Sequence, residues 1–136
     1  MSVSVNPYLF FKGNTREVME FYKNIFGGEL TVTTYGDLNI ASDVMKPDHL
    51  MHAQLDGGHV KLMASDTPNA SPVAAKITIS LTGADEPALR KIFEQLSEEV
   101  TPTSPLIKEA WGDIFGQLTD KYGVDWMVNI TGQKAD

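Results

Sequence analysis

Three histidines, His49, His52 and His59, are the only side chains of this sequence that ordinarily change charge near neutral pH. His49 and His52 are three apart on a predicted strand, so they point to opposite faces and cannot easily share an ion. His59 stands beside a turn signal and is expected in solvent. His52 alternates with Met51 and Ala53, whose side chains should pack toward a helix. That puts His52 and Gln54 on the other face. The plain reading of His52 is a half-buried, hydrogen-bonded histidine; the sharper one is a general acid/base or a ligand contact. Other chemistry is excluded by residue type. There is no cysteine, hence no disulfide, thiolate site or thiol nucleophile. No nucleophile elbow or phosphate-cradling glycine loop is present, and no two carboxylates share a predicted strand face. Asp43, Asp48 and Asp66 read as turn residues.

The elements that must position these groups are read from periodicity. Val3 to Phe11 is short, apolar and aromatic, with Pro7 inside it, as suits a strand at an edge or seam. After Gly13, either Asn14 or Thr15 can cap a helix, with Glu17 placed for a capping box. Val18, Met19, Phe21, Tyr22, Ile25 and Phe26 form its apolar stripe, and Gly27-Gly28 ends it. Glu29–Tyr35 alternates with β-branched residues and reads as a strand. Gly36–Asp48 reads as a long loop. Leu50–Leu55 and His59–Ser65 form a hairpin across Asp56-Gly57-Gly58.

A linker, Asp66–Ala75, leads to the strand Lys76–Leu81. A helix follows from Thr82 or Asp85, with Pro87 in its first turn and Ala88, Leu89, Ile92, Phe93 and Leu96 as its stripe. Val100–Thr103 reads as a short strand and Ser104–Ala110 as a loop. Trp111–Thr119 and Asp125–Ile130 close the chain as a hairpin. The order is therefore βαβββ, linker, βαβββ, in half-repeats at about 1–66 and 76–136 of a single domain. Faint internal text agrees: Ala53-Gln54-Leu55 matches Gly116-Gln117-Leu118, and Leu62-Met63 matches Trp126-Met127. Two half-sheets that each bury one face against a helix can close around a cleft by their other faces. Parity then puts Ile77, Ile79 and Leu81 against a helix and Lys76, Thr78 and Ser80 toward the cleft or an interface. Leu9 and Phe11 read as core, leaving Asn6, Tyr8 and Phe10 on the cleft side. Trp126 and Val128 share a face of the last strand and are placed in the cleft, while Trp111 and Phe115 could line it or a subunit seam. Candidate ligand-binding residues are thus Tyr8, Phe10, His52, Gln54, Trp111 and Trp126, an aromatic set with few polar groups.

Taken together, Pro7-Tyr8-Leu9-Phe10-Phe11-Lys12-Gly13-Asn14, Phe21-Tyr22, Phe26-Gly27-Gly28, His52-Ala53, the stretch from Leu62 to Asp66 and the block from Gly116 to Asn129 resemble the vicinal oxygen chelate superfamily of glyoxalases, bleomycin resistance proteins and dioxygenases, in its PhnB-like branch. The resemblance implies an α+β glyoxalase-like fold, a cupped mixed sheet of two βαβββ modules and, commonly, a homodimer. In metal-dependent relatives four cleft side chains hold a divalent ion that acts as a Lewis acid. The corresponding positions here fall at or near Asn6, Ala64, Lys76 and Val128. An amide, an ammonium and two alkyl groups do not make such a site. No metal and no cofactor is therefore expected. The expected function is metal-free binding of a small molecule, with a metal-dependent lyase, isomerase or dioxygenase as the alternative.

The bulk numbers fit. The 136 residues suit one domain. Eleven basic and eighteen acidic residues give a net charge of −7, which disfavours nucleic acid as a partner. The acidity would suit a cationic ligand but is more commonly a solubility feature. No apolar run approaches the length of a membrane span, and Met1–Asn6 has no basic, leader-like character, so a cytoplasmic location is expected.

Overall fold

The computed structural model describes residues 6–67 and 77–132. The expected beginning of the first strand, most of the linker and Lys76 lie outside the described residues. Two compact units divide the chain, Met1–Val73 and Ala74–Asp136. The first contains β1 (Tyr8–Phe11), α1 (Thr15–Phe26), β2 (Glu29–Thr34), β3 (Leu50–Asp56) and β4 (Lys61–Asp66). The second contains β5 (Ile79–Gly83), α2 (Glu86–Leu96), β6 (Ser104–Lys108), β7 (Ile114–Thr119) and β8 (Asp125–Ile130). Each is a βαβββ unit, and together they make the glyoxalase-like α+β fold. The sheet orders are β1-β4-β3-β2 and β5-β8-β7-β6. In each sheet the first strand pairs parallel to the last and the other pairings are antiparallel.

The internal repeat is visible in the strand registers. Gln54 pairs with Met63 and Leu55 with Leu62 in the first unit, as Gln117 pairs with Met127 and Leu118 with Trp126 in the second. Matching text thus occupies matching ladder positions.

Helix α1 buries Thr15, Val18, Met19 and Tyr22, one stripe at three- and four-residue spacing. It covers the sheet face that carries Leu9, Phe11, Ala53, Leu55, Leu62 and Ala64. Its N-terminus is capped from elsewhere in the unit. Asn14 makes no side-chain cap bond. Instead Asp66, expected in a turn, is the last residue of β4 and is 1% exposed. Its Oδ1 accepts from Gly13 N at 2.9 Å, Thr15 N at 3.0 Å and Thr15 Oγ1 at 2.6 Å, and its Oδ2 accepts from Leu50 N at 2.8 Å. A negative group at a helix N-terminus also meets the positive end of the helix dipole. Parity explains the placement. Asp66 lies on the same side of β4 as Ala64, which is the side α1 covers.

At the other end of α1, Gly27 has φ 74° and its N–H donates to Lys23 O at 2.8 Å. Gly28 is required by space as well as by its φ of 95°. A Cβ there would stand 2.3 Å from Asp56 O, so any larger residue would push the β3–β4 hairpin away.

In the second unit the Asp85 side chain caps α2, accepting from Ala88 N at 3.1 Å, with Pro87 in the first turn. Leu89, Phe93 and Leu96 are its buried residues. The Phe93 ring lies so close to Gly116 that a Cβ there would be 3.0 Å from it, which marks the α2-facing side of β7. Gly116 pairs with Val128 and Leu118 with Trp126, so those residues face α2 as well.

Three further expectations are corrected here. Strand β6 is Ser104–Lys108, and Val100–Thr103 is not a strand. Sequence reading reversed the two because Pro105 cannot donate to a ladder. The strand tolerates it at the sheet edge, where the register shifts between Ser104 and Ile107. Ile77 lies ahead of β5 and is 73% exposed, so only Ile79 and Leu81 of the expected trio sit on the helix side of the strand. Strand β4 begins at Lys61, which leaves His59 exposed in the turn.

The convergence on Asp66 makes a stability prediction. Asp66→Asn replaces an acceptor with a donor aimed at N–H groups, and Asp66→Ala leaves buried donors unpaired. Either change is expected to cost about 2–4 kcal/mol in chemical denaturation. A loss below about 0.5 kcal/mol would show that these four bonds do not hold the unit together.

Candidate functional site

The helix in the first unit covers one face of its sheet and leaves the other open. Registers assign the residues of the open face. Tyr8 pairs with Met63, which pairs with Gln54, which pairs with Thr31. The next row runs through Phe10, Ser65, His52 and Thr33: Phe10 pairs with Ser65, His52 pairs with Thr33, and His52 stands one residue beyond the Ala53–Ala64 pair. Four of the six candidate residues, Tyr8, Phe10, His52 and Gln54, therefore share one surface, with Met63 and Ser65 between the aromatic strand and the polar one.

The rings interact. Tyr8 and Phe10 stack with centroids 5.0 Å apart and planes 23° from parallel. Tyr8 and His52 are 5.7 Å apart at 49°. The Tyr8 hydroxyl lies 2.9 Å from His52 Nδ1, a bond that crosses above β4 to link the first and third strands of the sheet. Desolvation, with a smaller contribution from nearby Tyr35, holds the Tyr8 hydroxyl above its usual pKa, so it keeps its proton at neutral pH. Tyr8 is nevertheless 39% exposed and Phe10 57%. Exposed rings gathered on one sheet face are less usual than a single surface aromatic.

The remaining candidates lie elsewhere. Trp126 is fully buried and its Nε1–H donates to Asp120 Oδ2 at 2.9 Å. Asp120 also accepts from Tyr122 N and Val124 N at 2.9 and 3.0 Å, closing the β7–β8 turn. Trp126 thus belongs to the core beneath α2, and its expected place on the open face is corrected. The signal that could have located it was the repeat itself. Trp126 occupies the ladder position of Leu62, a core residue. Trp111 is 64% exposed in the turn before β7. It is one of the hydrogen-bond donors that hold Asp113 below the ordinary carboxylate range, after the larger effects of Asn129 and Gly132.

Neither of two surface cavities includes any of the six candidates. One, of about 530 Å³, lies in the second unit by Asp85, Glu86, Lys108, Gly112 and Thr131. The other, of about 370 Å³, is a groove in the first unit between α1 and β2, by Arg16, Glu20, Lys23 and Val32.

The donor set does not fit the divalent ion of the metal-dependent relatives. Ala64 and Val128 are both 0% exposed and turn their alkyl groups to the helices. Asn6 offers an amide, and Lys76 lies outside the described residues. The histidines are dispersed. His49 Nδ1 accepts from Lys46 N at 3.0 Å, His52 bonds Tyr8, and His59 is in its turn. Among the described residues, no group of three or more His, Asp or Glu side chains is placed to hold an ion. No helix among them is long and apolar enough to cross a membrane.

Comparison with known proteins places this architecture. The crystal structure of protein PA1353 from Pseudomonas aeruginosa is 36% identical, with a TM-score of 0.84, over 97% of this chain and 100% of that one. A PhnB protein from Bacillus cereus is 22% identical with a TM-score of 0.73, over 95% and 100%. A bleomycin-binding protein solved with bleomycin is 17% identical with a TM-score of 0.58, over 96% and 99%. The last two likenesses are of fold. The model of the glyoxalase/bleomycin resistance protein/dioxygenase superfamily matches residues 4–128. A match of that extent agrees with the two βαβββ units and their shared registers, and the chain belongs to the glyoxalase/bleomycin resistance protein/dioxygenase superfamily.

Proposed function

We propose that this chain is a small-molecule-binding protein of the bleomycin-resistance type that works without the superfamily's metal. The observation that carries this reading is the open face of the first sheet, where the exposed rings of Tyr8 and Phe10 gather beside the partly buried imidazole of His52. An apolar wall with a few placed polar groups is the usual make-up of a ligand site. Gln54 adds an amide on the same surface. Trp111 stays in the proposal as a second aromatic contact, since its ring is exposed. Trp126 does not, because it has no surface to offer. The PhnB-like branch is supported by the sequence blocks and by the shared fold of the Bacillus cereus protein. Assembly as a homodimer in the cytoplasm, with no nucleic-acid or membrane partner, completes the proposal.

A ligand that binds the folded state alone raises stability by about 2.7 kcal/mol at a hundredfold excess over its dissociation constant. A thermal-shift screen of aromatic compounds should therefore yield stabilising ligands. His52→Ala and Phe10→Ala should abolish the shift while changing the unliganded midpoint little, since both side chains are at the surface. Hits whose shifts survive both substitutions would place binding elsewhere.

The absence of a fitting donor set gives a second expectation. Protein prepared without chelator and titrated with Ni²⁺, Mn²⁺ or Zn²⁺ should show no saturable one-to-one binding by calorimetry. An ion held stoichiometrically and lost in His52→Ala would overturn the metal-free reading and favour the enzymatic alternative.

A further inference from the structure

The Tyr8–His52 bond fixes more than the position of a ring. A neutral imidazole has one N–H and one bare nitrogen, and the partner of one decides the state of the other. Tyr8 Oη and His52 Nδ1 lie 2.9 Å apart, and the hydroxyl can donate to a bare Nδ1 or accept from Nδ1–H. Donation would leave the imidazole proton on Nε2. Among the described residues no hydrogen bond to Nε2 is formed, and the ring is half-exposed on the open face. In that state the surface presents one oriented N–H donor beside two stacked rings, Tyr8 and the more exposed Phe10. Across the sheet the aromatic strand β1 and the polar strand β3 are separated by β4 alone, a span of about 9–10 Å at ordinary strand spacing. A single planar ring with one polar substituent bridges that distance.

We infer that Tyr8 donates to His52 Nδ1 and that the open face of the first sheet takes a planar aromatic compound bearing a carbonyl oxygen, its ring against Phe10 and Tyr8 and its oxygen accepting from His52 Nε2–H. This rests on the binding function proposed above and names the ligand class. The selectivity is for an acceptor. A compound with only a donor at that position would meet an N–H head-on, and a hydrocarbon would leave the N–H without a partner once water is displaced. Tyr8 acts here as a positioning residue, working through the tautomer of His52.

The test uses two probes of nearly one shape, acetophenone and α-methylstyrene, which differ by an oxygen in place of a methylene. Titrated into the full ¹⁵N-labelled chain and followed by NMR, acetophenone should bind roughly 5–10-fold more tightly, the value of one hydrogen bond. Its shifts should centre on Tyr8, Phe10, His52 and Gln54. The imidazole nitrogens of His52, assigned by their loss in His52→Phe, should show a protonated Nε2 and a bare Nδ1. Tyr8→Phe keeps the ring stack and removes the hydroxyl. It should mix the two tautomers and bring the probe ratio toward one, with α-methylstyrene binding unchanged. His52→Phe should abolish the ratio, and His52→Gln, whose amide also donates, should restore part of it. Equal affinity of the two probes on this face, or an Nδ1-protonated His52, would overturn the acceptor selectivity and leave the binding function standing. If neither probe perturbs these four residues while other aromatic ligands do, the inference alone fails. If no aromatic compound perturbs them, the proposed function fails with it.

Discussion

One buried carboxylate organises the first unit. Asp66 lies at the end of the central strand β4 and receives the backbone of the turn before α1, the first residue of α1 and the first residue of β3. Its own carbonyl accepts from Tyr35 Oη at 2.7 Å, and the next N–H, that of Thr67, donates to Phe11 O at 2.8 Å. Four segments distant in sequence therefore meet at a single residue. Buried polar groups of this kind are costly when unpaired and highly directional when satisfied. Because its donors come from both the helix and the strands, the helix cannot shift along the sheet without breaking them. That fixed seating holds α1 on one face of the sheet and leaves the other face uncovered by the helix.

The division of faces also accounts for the alkyl side chains at two of the positions where the metal-dependent relatives place ligands. Ala64 and Val128 are spent on packing against the two helices. Aromatic rings and one histidine occupy the opposite side of the first sheet.

Much of this was legible in the sequence, for definable reasons. Helix α1 was readable from its stripe and from Gly27-Gly28. The placement of His52, Gln54, Tyr8 and Phe10 on one face followed from strict two-residue parity, which holds wherever one face must be buried. The misreadings came where a partner distant in sequence decides the outcome. Asp66 looked like a turn residue because nothing local reveals that β4 extends to it. Asn14 looked like a cap because the true cap arrives from another strand. Parity correctly puts Trp126 and Val128 on one face of the last strand but does not say which face, and the alignment of Trp126 with Leu62 in the repeat marks that face as core. Pro105 hid β6, because propensity describes central strands better than edges. The Tyr8–His52 bond had no signal at all: 44 positions separate the two residues, and only the sheet order brings them together.

Strand β6 has a further consequence. It forms an edge of its sheet, and edges of unpaired backbone are templates on which chains aggregate. Pro105 removes one donor from that row, and the shifted register between Ser104 and Ile107 interrupts its spacing. An incoming strand would find no continuous ladder to join. The irregularity that concealed β6 thus guards the edge against unwanted growth of the sheet, although Ile107 is 54% exposed on the same strand.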